Sequence, residues 1–128
     1  MKLRIRGDTI RLRLKRGEVD QIAAGTSIVE ETHFRDSILT YRLDTSENRD
    51  ISASFSNGNL IVSLPKSKAL SWAGSDEISL HAEQQLFATG FLSILIEKDF
   101  GCLEPGHHRD CADDEDTFSH PSAPPHGT

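Results

Sequence analysis

The stretch "DISASFSNGNLIVSLP", residues 50–65, carries the clearest secondary-structure pattern of the chain. Apolar residues alternate with polar ones on both sides of Asn57-Gly58, a dipeptide typical of the tight turn between two antiparallel strands. Pro65 lacks a main-chain N–H donor and should end the second strand. The stretch therefore predicts a β-hairpin with one buried face.

A second hairpin is predicted at the start of the chain, in "KLRIRGDTIRLRLK", residues 2–15. Side chains two positions apart on a strand share a face, so one face of this hairpin is aliphatic and the other is positively charged. We call the second one the cationic face; it comprises Lys2, Arg4, Arg6, Arg11, Arg13 and Lys15. Such a grid of charges can hold phosphates or carboxylates.

The rest of the folded part alternates between helical and strand-like patterns. Helical spacing predicts one short helix near residues 16–24 and another in residues 66–77, stopped at Gly74 with Leu70 and either Trp72 or Ala73 turned inward. Strand-like runs are "TSIVEETHF", "SILTYRLD", "EISLHAEQ" and "FLSILIEKDF". The last run is apolar on both faces and should lie in the middle of a sheet.

These patterns predict an α+β fold: a mostly antiparallel sheet of seven or eight strands, able to curl into a barrel-like shape, with two short helices and a flexible C-terminal tail. No internal repeat stands out. After residue 100 the composition turns to Pro, Gly, Asp and Ser, which cannot offset the entropy cost of ordering the chain. We predict a single α+β domain over residues 1–100 and an acidic tail, containing Pro and His, over residues 101–128.

The class of protein follows from length and hydropathy. A chain of 128 residues is long enough for one domain with a core. There is no run of about 18 apolar residues, and the N-terminus has no hydrophobic signal core. We therefore expect a cytoplasmic protein without a membrane partner.

The net charge of −6 conceals a segregation of charge along the chain. Residues 2–16 carry seven Lys and Arg against Asp8 alone, whereas residues 97–116 carry eight acids against Lys98 and Arg109. The acidic end could cover the cationic face, and other candidates for its neutralisation are Glu30, Glu31 and Asp44. Nucleic acid is excluded as a partner, because the cationic face lacks interleaved aromatic residues and the whole chain is acidic.

A cluster in the tail raises the alternative of a zinc site. Cys102, His107, His108 and Cys111 form a C-x4-H-H-x2-C pattern, and these are the ligand types that zinc prefers. The pattern departs from the usual C-x2-4-C and H-x3-5-H spacings, which favours the alternative of a solvated tail. Apart from zinc, no cofactor is expected.

Three quoted stretches carry a resemblance to a known family: "MKLRIRGDTIRLRLKRGEVDQ", "LIEKDFGCL" and "DEDTFSHPSA". Over residues 1 to about 120, the chain resembles a family of small bacterial proteins known only as a domain of unknown function. The resemblance implies no activity, substrate or cofactor. The tail pattern that it implies is an acidic stretch leading to an aromatic residue and a proline, here residues 113–121; His107, His108 and Cys111 are not part of that pattern.

The leading functional hypothesis is a non-enzymatic binding module whose cationic face holds an anionic small molecule or protein, with the acidic tail as a competitor. The zinc-binding protein is the second hypothesis. The third is an enzyme acting on a phosphorylated small molecule, which needs a concave pocket lined by Arg4, Arg6, Arg11 and Arg13 with Glu30 or Glu31 nearby. No catalytic motif supports the third hypothesis, and the oligomeric state stays open.

Overall fold

The computed structural model of the chain describes residues 1–100 and residue 118. Two helices and eight strands follow each other in the order β1 (Lys2–Arg6), β2 (Thr9–Leu14), α1 (Arg16–Ala23), β3 (Ile28–His33), β4 (Ile38–Ser46), β5 (Ser52–Ser56), β6 (Asn59–Pro65), α2 (Lys66–Ala73), β7 (Ser79–Gln85) and β8 (Phe91–Lys98). The α+β class and the two short helices are therefore confirmed.

The strands form two separate four-stranded sheets, in the orders β1-β2-β8-β7 and β3-β4-β6-β5. The outer pairs of each sheet are antiparallel, but the central pairs, β2 with β8 and β4 with β6, are parallel. The prediction of one mostly antiparallel, barrel-like sheet is thus only partly right. It went wrong because each central pair joins strands from distant parts of the chain, which local alternation does not reveal. The central place expected for the last strand, β8, is confirmed.

The two halves of the chain share one plan, which the sequence analysis missed. Each half runs hairpin, helix, hairpin, and each sheet combines the first hairpin of one half with the second hairpin of the other. The registers of the first hairpins coincide: Lys2 pairs with Arg13 as Ser52 pairs with Ser63, so that positions fifty residues apart are equivalent in these hairpins and in the helices that follow them. Cations on one hairpin and serines on the other hide this equivalence in the sequence.

The core lies between the inner faces of the sheets and the two helices. Its fully buried side chains include Leu12, Leu14, Leu43, Leu64, Ile94 and Ile96. Each helix buries two residues, Val19 and Ile22 in α1 and their equivalents Ala69 and Trp72 in α2. The small Ala69 and the large Trp72 together fill a volume similar to that of Val19 and Ile22. This is expected because protein interiors are packed close to crystal density.

The inward face of α2 differs from the prediction at one residue. Trp72 is fully buried, and its indole N–H donates to the main-chain oxygen of Ile78 at 3.3 Å. Leu70, expected to point inward, is 52% exposed, and Ala69 takes the inward position. In a helix this short the spacing fits more than one inward face, and the bulk of Trp72 decides which face packs.

The edges of the two sheets contact each other through polar groups. The side-chain amide of Gln84 in β7 accepts from the N–H of Ala53 at 2.7 Å and donates to its carbonyl at 2.9 Å. The amino group of Met1, just before β1, contacts Glu30 of β3 at 2.8 Å. These contacts connect β5 to β7 and the start of β1 to β3.

One described residue lies in the predicted tail. The main-chain N–H of Phe118 donates to the carbonyl of Asp99 at 2.7 Å, and its ring lies 5.8 Å from that of Phe100. The guanidinium of Arg16 lies 5.2 Å from the centre of the same ring. The chain thus returns to the folded domain at residue 118, while the boundary near residue 101 stays a prediction.

Candidate anion-binding site

The cationic face forms on the outer side of the sheet that contains β1 and β2. The register places Lys2 beside Arg13 and Arg4 beside Arg11, with all four side chains on one face of the sheet. Arg6 lies opposite Thr9, next to the turn. Lys15 follows β2 as the residue before α1, so it lies at the end of the face rather than within its strands.

Half of the cationic face is neutralised from within the chain. Strand β8 lies alongside β2, and one oxygen of Glu97 is 3.3 Å from Nε of Arg11 and 3.4 Å from Nε of Arg13. Asp99, just after β8, lies 3.4 Å from Nζ of Lys2. The neutralising acids are therefore the first two of the acidic C-terminal stretch, brought into place by the parallel pairing of β2 and β8.

The other acids proposed for this role face different partners. Glu30 contacts the amino group of Met1, and Asp44 accepts from Nε of Arg42 at 3.0 Å. Glu31 lies 4.0 Å from Nε2 of His33. All three acids belong to β3 and β4, which are in the other sheet. The expectation that they neutralise the cationic face was therefore wrong.

The other half of the cationic face carries unbalanced charge. Arg4 and Arg6 are exposed, and among residues 1–100 and 118 neither forms an ion pair. With Thr9 and Arg11 they line a depression of about 290 Å³. Nε of Arg11 is buried without a hydrogen-bond partner, because its contact with Glu97 is an ion pair of poor hydrogen-bond direction. The exposed guanidinium groups of Arg4 and Arg6 thus give the depression hydrogen-bond donors that an anion can reach.

The equivalent face of the second sheet shows that the fold does not need these charges. Its counterparts of Lys2, Arg4 and Arg6 are the three serines of β5, and its counterparts of Arg11 and Arg13 are Ile61 and Ser63. The strand order is the same in both sheets, and the hairpins β1–β2 and β5–β6 share their register and turn length. The positive charge is therefore a property added to one face of a shared scaffold.

Polar residues of β7 and β8 extend the same outer face. Ser93 lies beside Thr9 in the register, and its hydroxyl is 3.0 Å from Nε2 of His81. Thr9 on β2 and His81 on β7 thus lie on either side of Ser93 in β8, on the same face of the sheet. The alternation of β7 gives no signal in the sequence that His81 has this neighbour on β8.

Lys98 is the one strongly buried lysine of the described segment. It is 7% exposed, its ammonium donates to the carbonyl of Ser75 at 2.8 Å, and it lies 5.7 Å from the centre of the Trp72 ring. Burial lowers the pKa of Lys98, and the nearby carboxylates of Asp76 and Glu77 oppose that change. Because Ser75 follows the end of α2, this hydrogen bond connects the end of β8 to the end of the helix.

The alternative sites find no support in the described part of the chain. There, no three His, Cys, Asp or Glu side chains come together to bind a metal ion. Glu30 and Glu31 are paired with Tyr41 and Thr40 in the other sheet, away from the arginines of the enzyme hypothesis. Cys102, His107, His108 and Cys111 lie outside the described residues, so the zinc site stays a prediction. No helix found in residues 1–100 is long and apolar enough to cross a membrane.

Comparison with known proteins places the chain in a family. One family model matches residues 1–122. The chain belongs to DUF7009, a family of unknown function. Membership in DUF7009 confirms the resemblance to a family without an assigned activity. Neither a curated protein nor a solved structure matches the chain, so no ligand or partner comes to this DUF7009 protein from a relative.

Proposed function

We propose that the chain is a binding module that holds an anionic group, the phosphate or carboxylate of a small molecule or a protein, on Arg4, Arg6 and Arg11. The observation that carries the proposal is the difference between the two equivalent faces. One face bears five strand cations where the other bears serines and an isoleucine. Since the scaffold folds with neutral residues at these positions, the charges serve something other than folding.

The geometry of the depression suits an anion. Arg4 and Arg6 are two positions apart on β1, so their side chains leave the same face of the strand about 7 Å apart. A guanidinium group offers paired N–H donors that match a carboxylate or phosphate. Thr9 and Arg11 line the same depression, although Nε of Arg11 is itself buried beside Glu97.

Electrostatics favour occupation of this end of the face. Arg4 lies directly opposite Arg11, and like charges opposed across a hairpin destabilise it. Glu97 offsets the charge of Arg11 and Arg13 at the other end, which leaves Arg4 and Arg6 as the positive centre. A bound anion relieves this repulsion, so binding should also stabilise the fold.

The acidic tail is proposed as a competitor for the same face. Phe118 packs beside Asp99, which in turn contacts Lys2 at the start of β1. The acids at residues 113–116 lie two to five positions before Phe118, within about 16 Å of chain from this anchor. Attraction between this stretch and the cationic face is expected to weaken with salt, as for any exposed charges.

The test is calorimetric titration with inorganic phosphate and tripolyphosphate at low ionic strength. The double variant Arg4→Ser, Arg6→Ser copies the residues of the equivalent strand and should keep the fold. We expect its affinity to fall at least about tenfold, since a charge-assisted hydrogen bond contributes about 1.5–3 kcal/mol.

A matched control removes two positive charges elsewhere. Arg35 and Arg49 are exposed residues outside the helices and strands, and Arg35→Ser, Arg49→Ser changes the net charge equally. The proposal predicts near wild-type affinity for this control. It fails if both double variants lose affinity alike, or if the wild-type protein binds neither anion.

A further inference from the structure

Strand β1 has an open edge. It is an outer strand of its sheet, with β2 on one side. In the equivalent strand β5, the N–H and C=O of Ala53 point away from β6, because both bond to Gln84. Leu3 is the equivalent of Ala53, and Ile5 lies two positions further on, so their main-chain groups likewise point away from β2. No partner for these groups occurs within the described part of the chain.

The charged and the apolar side chains along this edge lie on opposite faces of β1. Arg4 and Arg6 lie on the outer face, whereas Ile5 lies on the inner face and is 58% exposed. Ile5 lines an apolar groove of about 530 Å³, together with Ile10, Leu39, Phe55, Leu60 and Leu92. A groove of this size and character is large enough to take apolar side chains of a ligand.

We propose that β1 accepts an extended segment of a partner protein as an additional strand, and that this segment alternates acidic with large apolar residues. This inference rests on the proposed function and names the partner class for the same site. Main-chain hydrogen bonds form at Leu3 and Ile5, as in other complexes where a peptide extends a sheet. The alternation places the acids against Arg4 and Arg6 and the apolar side chains at the groove.

Charge complementarity argues for a separate partner over a second copy of this chain. Pairing of two β1 strands would bring Arg4 and Arg6 of one copy against the same cations of the other, and such opposition is how proteins prevent edge pairing. None of the described edge strands offers two acids on one face. Their sequences are KLRIR in β1, IVEETH in β3, SASFS in β5 and SLHAEQQ in β7.

The first test uses three synthetic peptides of eight residues, each with a fluorescent label, in anisotropy titrations at low salt. One peptide alternates glutamate with isoleucine. The second has the same composition with the glutamates grouped first, and the third alternates lysine with isoleucine. We expect the alternating acidic peptide to bind at least about tenfold more tightly than the other two, because only it matches both charge and strand periodicity.

Two sets of variants locate the binding. Arg4→Glu, Arg6→Glu should reverse the preference toward the lysine peptide. Ile5→Pro removes the outward N–H without breaking a bond to β2, a position where sheets tolerate proline. Its control, Ile5→Ala, keeps the N–H and removes most of the same side chain. The proline variant should lose clearly more affinity than the alanine variant.

Amide hydrogen exchange keeps the inference testable if the proline variant does not fold. In the wild-type protein with the alternating acidic peptide, the amides of Leu3 and Ile5 should become protected. Peptide binding without this protection, or equal binding of the alternating and grouped acidic peptides, overturns the inference. If tripolyphosphate still binds through Arg4 and Arg6 in that case, the proposed function stands alone; if neither probe binds, both fail.

Discussion

At the scale of single residues, Glu97 sets the charge of the cationic face. One of its oxygens contacts both Arg11 and Arg13, so a single carboxylate is shared by two cations. In the other sheet the residue at the same register position, beside Ser63, is Asp44, and within the described residues its ion pair is with Arg42. The positive potential around Arg4 and Arg6 therefore depends on how much of the charge of Arg11 and Arg13 is offset by Glu97.

Replacing Glu97 by glutamine should strengthen the binding of tripolyphosphate several-fold, because Arg11 and Arg13 lose their counter-charge. Stability should fall by no more than about 1 kcal/mol, as expected for partly exposed ion pairs. Calorimetric titration and urea unfolding measure the two effects. Glu83→Gln is the control, since Glu83 lies on the same outer face and forms no ion pair within the described residues. Weaker binding in Glu97→Gln would show that the carboxylate positions the arginines instead.

Lys98 should produce a pH dependence of stability. Burial lowers its pKa from the usual 10.5, so the unfolded chain binds more protons than the folded protein between the lowered pKa and 10.5. The contribution of Lys98 to the free energy of unfolding therefore rises with pH in that window. Wild-type protein should gain stability relative to Lys98→Met as the pH approaches 10.5, measured by urea unfolding at several pH values.

Tyr41 is a second group whose shifted pKa affects stability at high pH. Burial, with the nearby charges of Glu30 and Glu18, raises the pKa of Tyr41 above 10.0, so its contribution to stability falls as the pH rises beyond 10.0. Because Tyr41 is present in both proteins, its contribution cancels in the difference. A difference between wild type and Lys98→Met that does not change with pH contradicts the account of Lys98.

At the scale of elements, hydrogen bonds from a polar side chain decide whether the main-chain groups at a sheet edge stay open. Gln84 of β7 occupies both outward main-chain groups of Ala53 in β5. Gln84→Ala leaves these groups without partners and should cost about 1–2 kcal/mol in urea unfolding. The exchange rate of the Ala53 amide should rise as well. Gln85→Ala, at the exposed neighbouring position, should leave the free energy of unfolding and the Ala53 exchange rate near wild type. Equal effects of the two variants would show that the Gln84 hydrogen bonds do not protect the Ala53 main chain.

The elements themselves were largely predictable from the sequence. The two hairpins with two-residue turns and the first helix follow from periodicity and turn residues. The second helix was placed correctly, and its inward face was right at Trp72 but wrong at Leu70, whose place is taken by Ala69. The pairing of β2 with β8 was out of reach, since strand alternation is equally compatible with several neighbours.

At the scale of the whole molecule, the acidic C-terminal stretch is expected to regulate the cationic face. Replacing the acids at residues 113–116 with their amides retains Phe118 and its packing. We expect tighter binding of tripolyphosphate at low salt and little difference at high salt, because exposed charges are screened. Titration at two salt concentrations measures the change.

The control for this variant removes four acids from other exposed positions, namely Asp36, Glu47, Asp50 and Glu77. It alters net charge equally but leaves residues 113–116 intact. An equal gain in affinity in both variants would assign the effect to overall charge. A gain confined to the tail variant supports competition at the cationic face.

The sequence by itself determined the α+β class, the two hairpins with two-residue turns, both helices and the cationic strands, because these depend on local periodicity and turn chemistry. Tertiary structure alone decided that the strands form two equivalent sheets, that Glu97 and Asp99 neutralise part of the cationic face, and that Ile5 and Phe55 border one apolar groove. The physical reason is distance along the chain. Local spacing shows which face a side chain takes, but only packing shows what lies opposite that face.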